Sequence, residues 1–522
     1  MLERLNSESL AHLPEDVESP AYDRSRVTPG IVHLGIGAFH RAHQAVLTDL
    51  AMAASGDLSW GIVGVSMRSP ATRDALTPQD GLYTLALRDA GPDGQAREQL
   101  RVVGSVLRIV VAEEDPQAVL ERIASPQTRI VSLTVTEKGY SHEPSTGHLR
   151  WDDPDIAHDL ANPVRPRSTI GMLVYGLALR RERSLPPLTL LSCDNLHANG
   201  DTLRSLVLAF ALRVDVGLTA WIDNHCTFPN SMVDRIVPGT QDEDRAHVAR
   251  RLGFEDAWPV VGEPFLNWVI EDKFAAGRPA WDAAGASFVR NAAPYERLKL
   301  RMVNAPHSAF AYLGSMLGLR TNSEAAATPA LRRYVDDMMR LELGPTLRGI
   351  PESGLEEYRL RFLARVANPA LPHRTRQVAM DGSQKVPQRL LAAIRDRMQR
   401  GDDFGRLALA VAAWLHYLRG YDELGNAYSI QDPLAGALAK LLARADVAAT
   451  ASSPAQAAHR RATVVAGFRP VFGDLGRKPA FVDALALHLE RLRTFGVLGA
   501  LEALERDAVP VPEGSVQPMP AA

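Results

Sequence analysis

Lys299, Asn304 and His307 stand close together in the segment Lys-Leu-Arg-Met-Val-Asn-Ala-Pro-His. An amine, an amide and an imidazole so spaced offer a proton acceptor, a hydrogen-bond donor and a second polar group for one reacting centre. At about 100° per helical residue, Asn304 falls about 140° and His307 about 80° around the axis from Lys299, so all three share one broad face. Pro306 disturbs that geometry unless it occupies a first helical turn. A solvated polar helix face has the same spacing, and spacing alone leaves both readings open.

Two other groups suit chemistry. Asn195, in Ser192-Cys193-Asp194-Asn195, follows the apolar run Leu188–Ser192, and so lies beyond a strand's C-terminal end, where α/β sheets place ligands. The same amide suits a helix cap. The turn Gly35-Ile36-Gly37-Ala38-Phe39 joins a β-rich run, Gly30–Leu34, to a helical pattern from Arg41 onward. Glycines there let a pyrophosphate approach a helix N-terminus, where free N–H groups favour anions. His40 replaces the third glycine of G-x-G-x-x-G, so a plain turn between packed elements fits the pattern as well. At the end of the next strand, Ser66-Met67-Arg68-Ser69-Pro70-Ala71 holds no carboxylate for a ribose. Arg68 and Arg73 suit a phosphate or a solvated loop, so the residues leave NAD and NADP both open.

The elements that must hold these groups alternate. Trp60–Met67, Gln99–Gly104 and Arg129–Thr136 are expected strands, the last a β-branched run typical of a parallel strand covered on both faces. Helices are expected over Gln117–Ile123 and Ser168–Arg183. Together they predict a doubly wound α/β domain over residues 25–290. From about residue 290 the apolar period becomes helical: Tyr295–Leu317, Thr328–Leu343, Gly354–Arg365, Pro387–Met398, Phe404–Gly420, Leu434–Arg444, Ala455–Ala466 and Lys478–Leu504 predict a mainly α-helical domain over 291–508. Residues 509–522 are rich in Pro and read as a flexible tail.

Composition narrows the partner. Among 522 residues, 58 Lys+Arg against 61 Asp+Glu give a net charge of -3, which provides no field for nucleic acid or an anionic membrane. A small-molecule substrate is expected. Cys193 and Cys226 are too few for a disulfide framework and lack C-x-x-C spacing, and with the lone pair His40 and His43 they form no ligand cluster, so no metal is expected. Met1–Leu13 has no apolar core of a secretory signal and no uncharged run is long enough to span a bilayer. The expected location is cytoplasmic. Oligomeric state is not written in the chain.

Taken together, Gly35-x-Gly37-x-Phe39-His40-Arg41-Ala42-His43, Thr134-Val135-Thr136-Glu137-Lys138-Gly139-Tyr140, Ser192-Cys193-Asp194-Asn195, Phe228-Pro229-Asn230-Ser231-Met232-Val233-Asp234-Arg235, Lys299-x4-Asn304-x2-His307 and Asp381-Gly382-Ser383-Gln384-Lys385 resemble the mannitol dehydrogenase family of long-chain polyol dehydrogenases. The blocks span residues 28 to 440 in the family's order. The resemblance implies a zinc-independent NAD(P)-dependent dehydrogenase with a Rossmann-like N-terminal domain, a helical C-terminal domain and a site between them. NAD is the expected cofactor, with NADP left open, and it contacts Gly35, Ile36, Gly37, Ala38, Phe39 and Arg68. The resemblance makes Lys299 the base that takes the proton from a secondary alcohol, Asn195 and Asn304 the donors to the developing alkoxide, and His307 the residue that orients substrate. It associates Glu137 with proton exit and Lys385 with substrate contact. A lysine acts as a base near neutrality only where burial or a neighbouring cation disfavours its charge.

Gln377 stands where the mannitol-oxidising branch carries arginine, and the sequence around Asn368–Gln377 and Gln388-Arg389 looks closer to fructuronate reductases. A sugar acid needs a cation for its carboxylate, and Arg374, Arg376 and Arg301 are candidates. The expected reaction is therefore D-mannonate with D-fructuronate, and the alternative is D-mannitol with D-fructose. Two other classes compete: a lyase forming a Schiff base at Lys299, which leaves the glycine turn without a purpose, and a nucleotide-binding sensor, which needs no base, amide pair or histidine.

Overall fold

Five short apolar runs pair in parallel in the computed structural model, which describes residues 2–90, 95–143, 146–449 and 453–507. They are β1 (Pro29–Leu34), β2 (Gly61–Ser66), β3 (Val106–Val111), β4 (Ile130–Leu133) and β5 (Thr189–Ser192), in the order β3-β2-β1-β4-β5. Ile31, Val32, Ile62, Ile130, Val131, Leu190 and Leu191 are buried, which is why these strands read as continuous apolar runs rather than alternating ones. The order reverses between β1 and β4, a switch point where the crevice beyond the strand ends receives ligands. The glycine turn follows β1 there, and the segment Thr134–Glu137 follows β4.

Three of the four crossovers are helical, and the one from β2 to β3 carries the strands Tyr83–Ala90 and Ala96–Val103. The helical ones run through α1 (Gln44–Ser55), α2 (Pro116–Ile123) and α3 (Thr169–Glu182), and α4 (Asn199–Val214) follows β5. Asp115 accepts from the N–H of Ala118 at the start of α2, and Ser168 from that of Gly171 at the start of α3.

Three features differ from the expected alternation. Ala96–Val103 is a strand, but it pairs antiparallel with Tyr83–Ala90 in a separate four-stranded sheet, while Val106–Val111 supplies the third parallel strand. Its polar first half, Ala-Arg-Glu-Gln, is largely exposed and suits a hairpin with a wet face rather than two-sided burial. The strand expected over Arg129–Thr136 stops at Leu133, three residues before Thr136, which takes φ +63°. A third sheet joins Ser231–Asp234, Asn267–Glu271 and Ser287–Val289.

Two compact units result. One contains the chain up to Lys299 together with Asn368–His373, the other Leu300–Ala367 together with the chain from Arg374 on. The first is a Rossmann-like α/β unit and the second is helical. α5 (Ala293–Lys299) ends the first. In the second, Leu300–Asn304 form a π-helical turn and α6 (Ala305–Met316) is buried along its whole length. α7 (Asn322–Ala327), α8 (Gly405–Tyr417) and the kinked α9 (Pro479–Asp507) pack in the same unit, where Phe310, Trp414, Phe472 and Phe481 are fully buried. Pro306 directly follows the π turn in a chain that is already helical at Asn304 (φ -71°, ψ -38°), so it sits within a continuous helical run and its missing N–H removes one bond there. Residues 509–522 lie outside the described residues. No helix among the described residues is long and apolar enough to cross a membrane.

Candidate active site

The two glycines of the turn do different work. Gly35 holds φ +90°, and a Cβ there would lie 2.3 Å from the carbonyl oxygen of Thr134, so the fold itself demands glycine. Gly37 is exposed, and a Cβ there would meet only the carbonyl oxygen of Gly35, at 3.8 Å. Nothing else among the described residues lies within 4 Å of that space, which lies just before the helical turn Ala38–Ala42 and fits the close approach of a dinucleotide pyrophosphate. Ile36 is buried against Gly64, so only its backbone faces the turn, while Ala38 and Phe39 are half-buried. Arg68 is exposed beyond β2. Arg73 is held by Asp74 and Glu114.

His40, at the third glycine position, stacks on His33 with centroids 3.4 Å apart. The Thr134 hydroxyl donates to the Gly35 carbonyl at 2.8 Å, so its oxygen accepts from His33 Nε2 at 2.8 Å, and His33 Nδ1 accepts from Ser132 at 2.8 Å. Burial pushes His33 down to about 3 and His40 well below the ordinary histidine range. His43 is likewise pushed to about 3, by burial first and then by the cations Arg235 and Lys299. The histidines of this motif are neutral buried groups that brace the turn.

Beyond β5, Asn195 receives a hydrogen bond on Oδ1 from Lys299 Nζ, 104 positions away. Lys299 is 7% exposed, the desolvated setting a lysine base requires. With its oxygen turned to the lysine, the Asn195 amide directs its donor nitrogen elsewhere. Asn195 does not cap α4. Asn230 does so, its Oδ1 accepting from the N–H of Gly200 at 2.9 Å and of Asp201 at 3.1 Å. Asn199 is buried and donates to the carbonyls of Ser192, Asp194 and Ser231, tying the end of β5 to the Ser231–Asp234 strand.

Asp194 was not singled out by the sequence, although it adjoins Asn195. It accepts from Tyr140 Oη at 2.8 Å and from the N–H of Val135 at 3.1 Å and Thr136 at 2.9 Å. Thr136 has φ +63° and ψ 168°, a region open in practice to glycine alone. Glu137, half-buried, begins the next helical turn, Glu137–Tyr140. Burial pushes Asp194 up to about 7 against the opposing hydrogen bonds of Tyr140 and Val135.

In the helical unit, Asn304 closes the π turn and His307 lies in the first turn of α6, both buried. A π turn bonds i to i+5, so the 100° step assumed for an unbroken α-helix does not apply through this segment. Asn322 Nδ2 lies 2.8 Å from His307 Nε2. Arg389 reaches the Asn304 carbonyl at 3.5 Å and Ser308 Oγ at 3.0 Å. Lys385 is half-buried and donates to the Val378 carbonyl at 3.4 Å. Arg374 and Gln377 are exposed at the helical turn Thr375–Ala379. Arg376 lies over the ring of Tyr428, 4.5 Å from its centroid, and 4.0 Å from Asp422. Arg301 pairs with Asp396 at 2.7 Å. Among the described residues, no three His, Cys, Asp or Glu side chains are grouped to hold a metal ion.

Comparison with known proteins matches these two halves to two family models. Residues 29–283 match the mannitol dehydrogenase Rossmann domain and residues 291–493 the mannitol dehydrogenase C-terminal domain. The D-mannonate oxidoreductase of Escherichia coli is 41% identical over 493 residues, covering 94% of this chain and 98% of that protein. A mannitol 2-dehydrogenase of Phaeosphaeria nodorum is 42% identical over 437 residues, covering 83% and 76%. Among solved structures, Pseudomonas fluorescens mannitol 2-dehydrogenase in complex with NAD and D-mannitol superposes with a TM-score of 0.88 at 38% identity, covering 97% of this chain and 100% of that one. The chain belongs to the mannitol dehydrogenase family of oxidoreductases.

Proposed function

We propose that the chain is an NAD-dependent dehydrogenase, independent of zinc, that interconverts D-mannonate and D-fructuronate. The observation that carries the reading is the bond from buried Lys299 to Asn195 Oδ1. In the oxidative direction the uncharged amine of Lys299 takes the hydroxyl proton as hydride leaves the carbinol carbon, and Asn195 Oδ1 holds the amine in place. The Nδ2 groups of Asn195 and Asn304 donate to the alkoxide, His307 orients the substrate, and Glu137 passes the proton on to water. NAD, cradled at Gly35–Phe39 with Arg68 nearby, supplies the hydride acceptor. Because Lys299 serves as the base, the reaction needs no metal-bound hydroxide. NADP remains the second cofactor to be tried, since no carboxylate follows β2 to oppose a 2′-phosphate.

The sugar-acid assignment is supported by Gln377, by the near full-length similarity to a D-mannonate oxidoreductase, and by Lys385 and Arg374 as carboxylate partners. Arg376, beside Asp422 and Tyr428, is a third candidate. Similarity of the same order to mannitol 2-dehydrogenases favours a second reading, D-mannitol with D-fructose. Buried free Cys193 and Cys226 suit the proposed cytoplasmic location. Initial rates of NADH and NADPH oxidation with D-fructuronate, D-tagaturonate and D-fructose test the assignment. A charge-assisted contact of about 1.5 to 3 kcal/mol should favour fructuronate over fructose about ten- to a hundredfold in kcat/KM, less at high salt. A salt-insensitive preference for fructose selects the second reading.

A further inference from the structure

The proposed mechanism assigns His307 a task without saying which ring nitrogen performs it, and the packing around the ring decides that. His307 is 9% exposed and lies with its edge toward Phe362, ring centroids 6.2 Å apart. Its Nε2 lies 2.8 Å from Nδ2 of Asn322, which is 1% exposed. A side-chain amide nitrogen only donates, so Nε2 accepts, and the neutral ring must carry its proton on Nδ1. The donor is firmly placed. Asn322 is the first residue of α7, whose N-terminus is fixed by a reciprocal cap: Thr321 Oγ1 accepts from the N–H of Glu324 at 3.2 Å, and Glu324 accepts from the N–H of Thr321 at 3.2 Å. The other end of the amide, Oδ1, is buried with no hydrogen-bond partner among the described residues.

We infer that Asn322 is a positioning residue that fixes His307 as its Nδ1–H tautomer, so that the ring offers substrate a hydrogen-bond donor. The inference rests on the proposed role of His307. It makes the histidine a third donor beside the two amides, and so a group that binds a carbonyl or hydroxyl oxygen of substrate. In the opposite tautomer Nδ1 would be an acceptor and would repel that oxygen's lone pairs.

The test uses Asn322→Asp, nearly isosteric, in which a carboxylate replaces the donor and must accept from Nε2. The intact chain is labelled with 15N-histidine, and the His307 resonances are identified by their loss in His307→Ala. The expected spectrum shows a protonated Nδ1 and a bare Nε2 in the parent, and a protonated Nε2 in Asn322→Asp. Kinetically, Asn322→Asp should lower kcat/KM for the ketone substrate about a hundredfold with the KM for NADH unchanged and the melting temperature retained. Asn322→Ala, which removes the donor without inverting the bond, should fall between parent and Asn322→Asp. A protonated Nε2 in the parent, or an Asn322→Asp enzyme as fast as the parent, overturns the inference. If His307→Ala itself turns over normally, the assigned role of His307 falls instead, and the two failures are told apart.

Discussion

Asp194 accepts a hydrogen bond from the backbone N–H of Thr136, 58 positions away, and so holds a left-handed threonine one residue before Glu137 while standing one residue before Asn195. One buried carboxylate thus joins the turn proposed to release the proton to the amide proposed to hold the alkoxide. Its folded-state pKa, raised to about 7 by burial, lies above the ordinary 3.8. The folded protein therefore holds this proton more tightly than the unfolded chain. The stabilisation is complete below about pH 4 and is lost as pH rises through about 7. Buried Asp49 and Glu342, raised to about 6 and about 7 by burial, act in the same window. Asp194→Asn should lose about 1 to 3 kcal/mol through a backbone N–H left without its acceptor. The advantage of the parent over this variant should shrink as pH rises from 4 to 7. Chemical denaturation across that range checks it, and an advantage that grows with pH would show Asp194 to be ionised throughout.

The two glycines of the turn should separate stability from cofactor binding. Gly35→Ala forces a Cβ against the Thr134 carbonyl at φ +90° and should cost about 1 to 3 kcal/mol in stability. Gly37, with φ -92° and open space above it, should accept alanine with an unchanged melting temperature but bind NADH at least about tenfold more weakly. Thermal melts and NADH fluorescence titrations measure both. Unchanged NADH affinity in Gly37→Ala would remove the turn from the cofactor site.

Asn195→Ala and Asn304→Ala should each lower kcat by about 10² to 10³, the effect of losing one donor to an oxyanion, while the dissociation constant of NADH stays within about twofold. Stopped-flow reduction with preloaded NADH separates the two quantities. Losses of equal size in cofactor affinity would sink the oxyanion role.

Much of this arrangement was legible in the chain and the rest was not, for physical reasons. Strands β1, β4 and β5 were visible because burial on both faces leaves unbroken apolar runs, and Lys299, Asn304 and His307 because they fall within one short segment. Val106–Val111 gives a weak strand signal, since Arg108 interrupts its apolar run while the preceding hairpin carries the clearer alternation. The π turn at Leu300–Asn304 has no period distinct from a helix over five residues. Nothing local in the sequence shows that Asn322 meets His307, because that bond exists only after two helices pack. Asn195 and Lys299 were likewise legible singly, and their contact is a product of the fold.

Activity should survive prolonged EDTA treatment, because the proposed base is Lys299 and the motif histidines, His33, His40 and His43, are buried in the packing around the glycine turn. Rates before and after chelation, with and without added zinc, measure this. A loss that zinc restores would require a metal in the mechanism.

The central claim is that Lys299 is the base, and single-turnover reduction of the preferred ketose or keto acid by enzyme preloaded with NADH tests it most directly. Lys299→Ala should bind NADH with the parent's affinity and transfer hydride about 10² to 10⁴ times more slowly. Hydride transfer within a few-fold of the parent's rate would contradict the account, whatever the substrate proves to be.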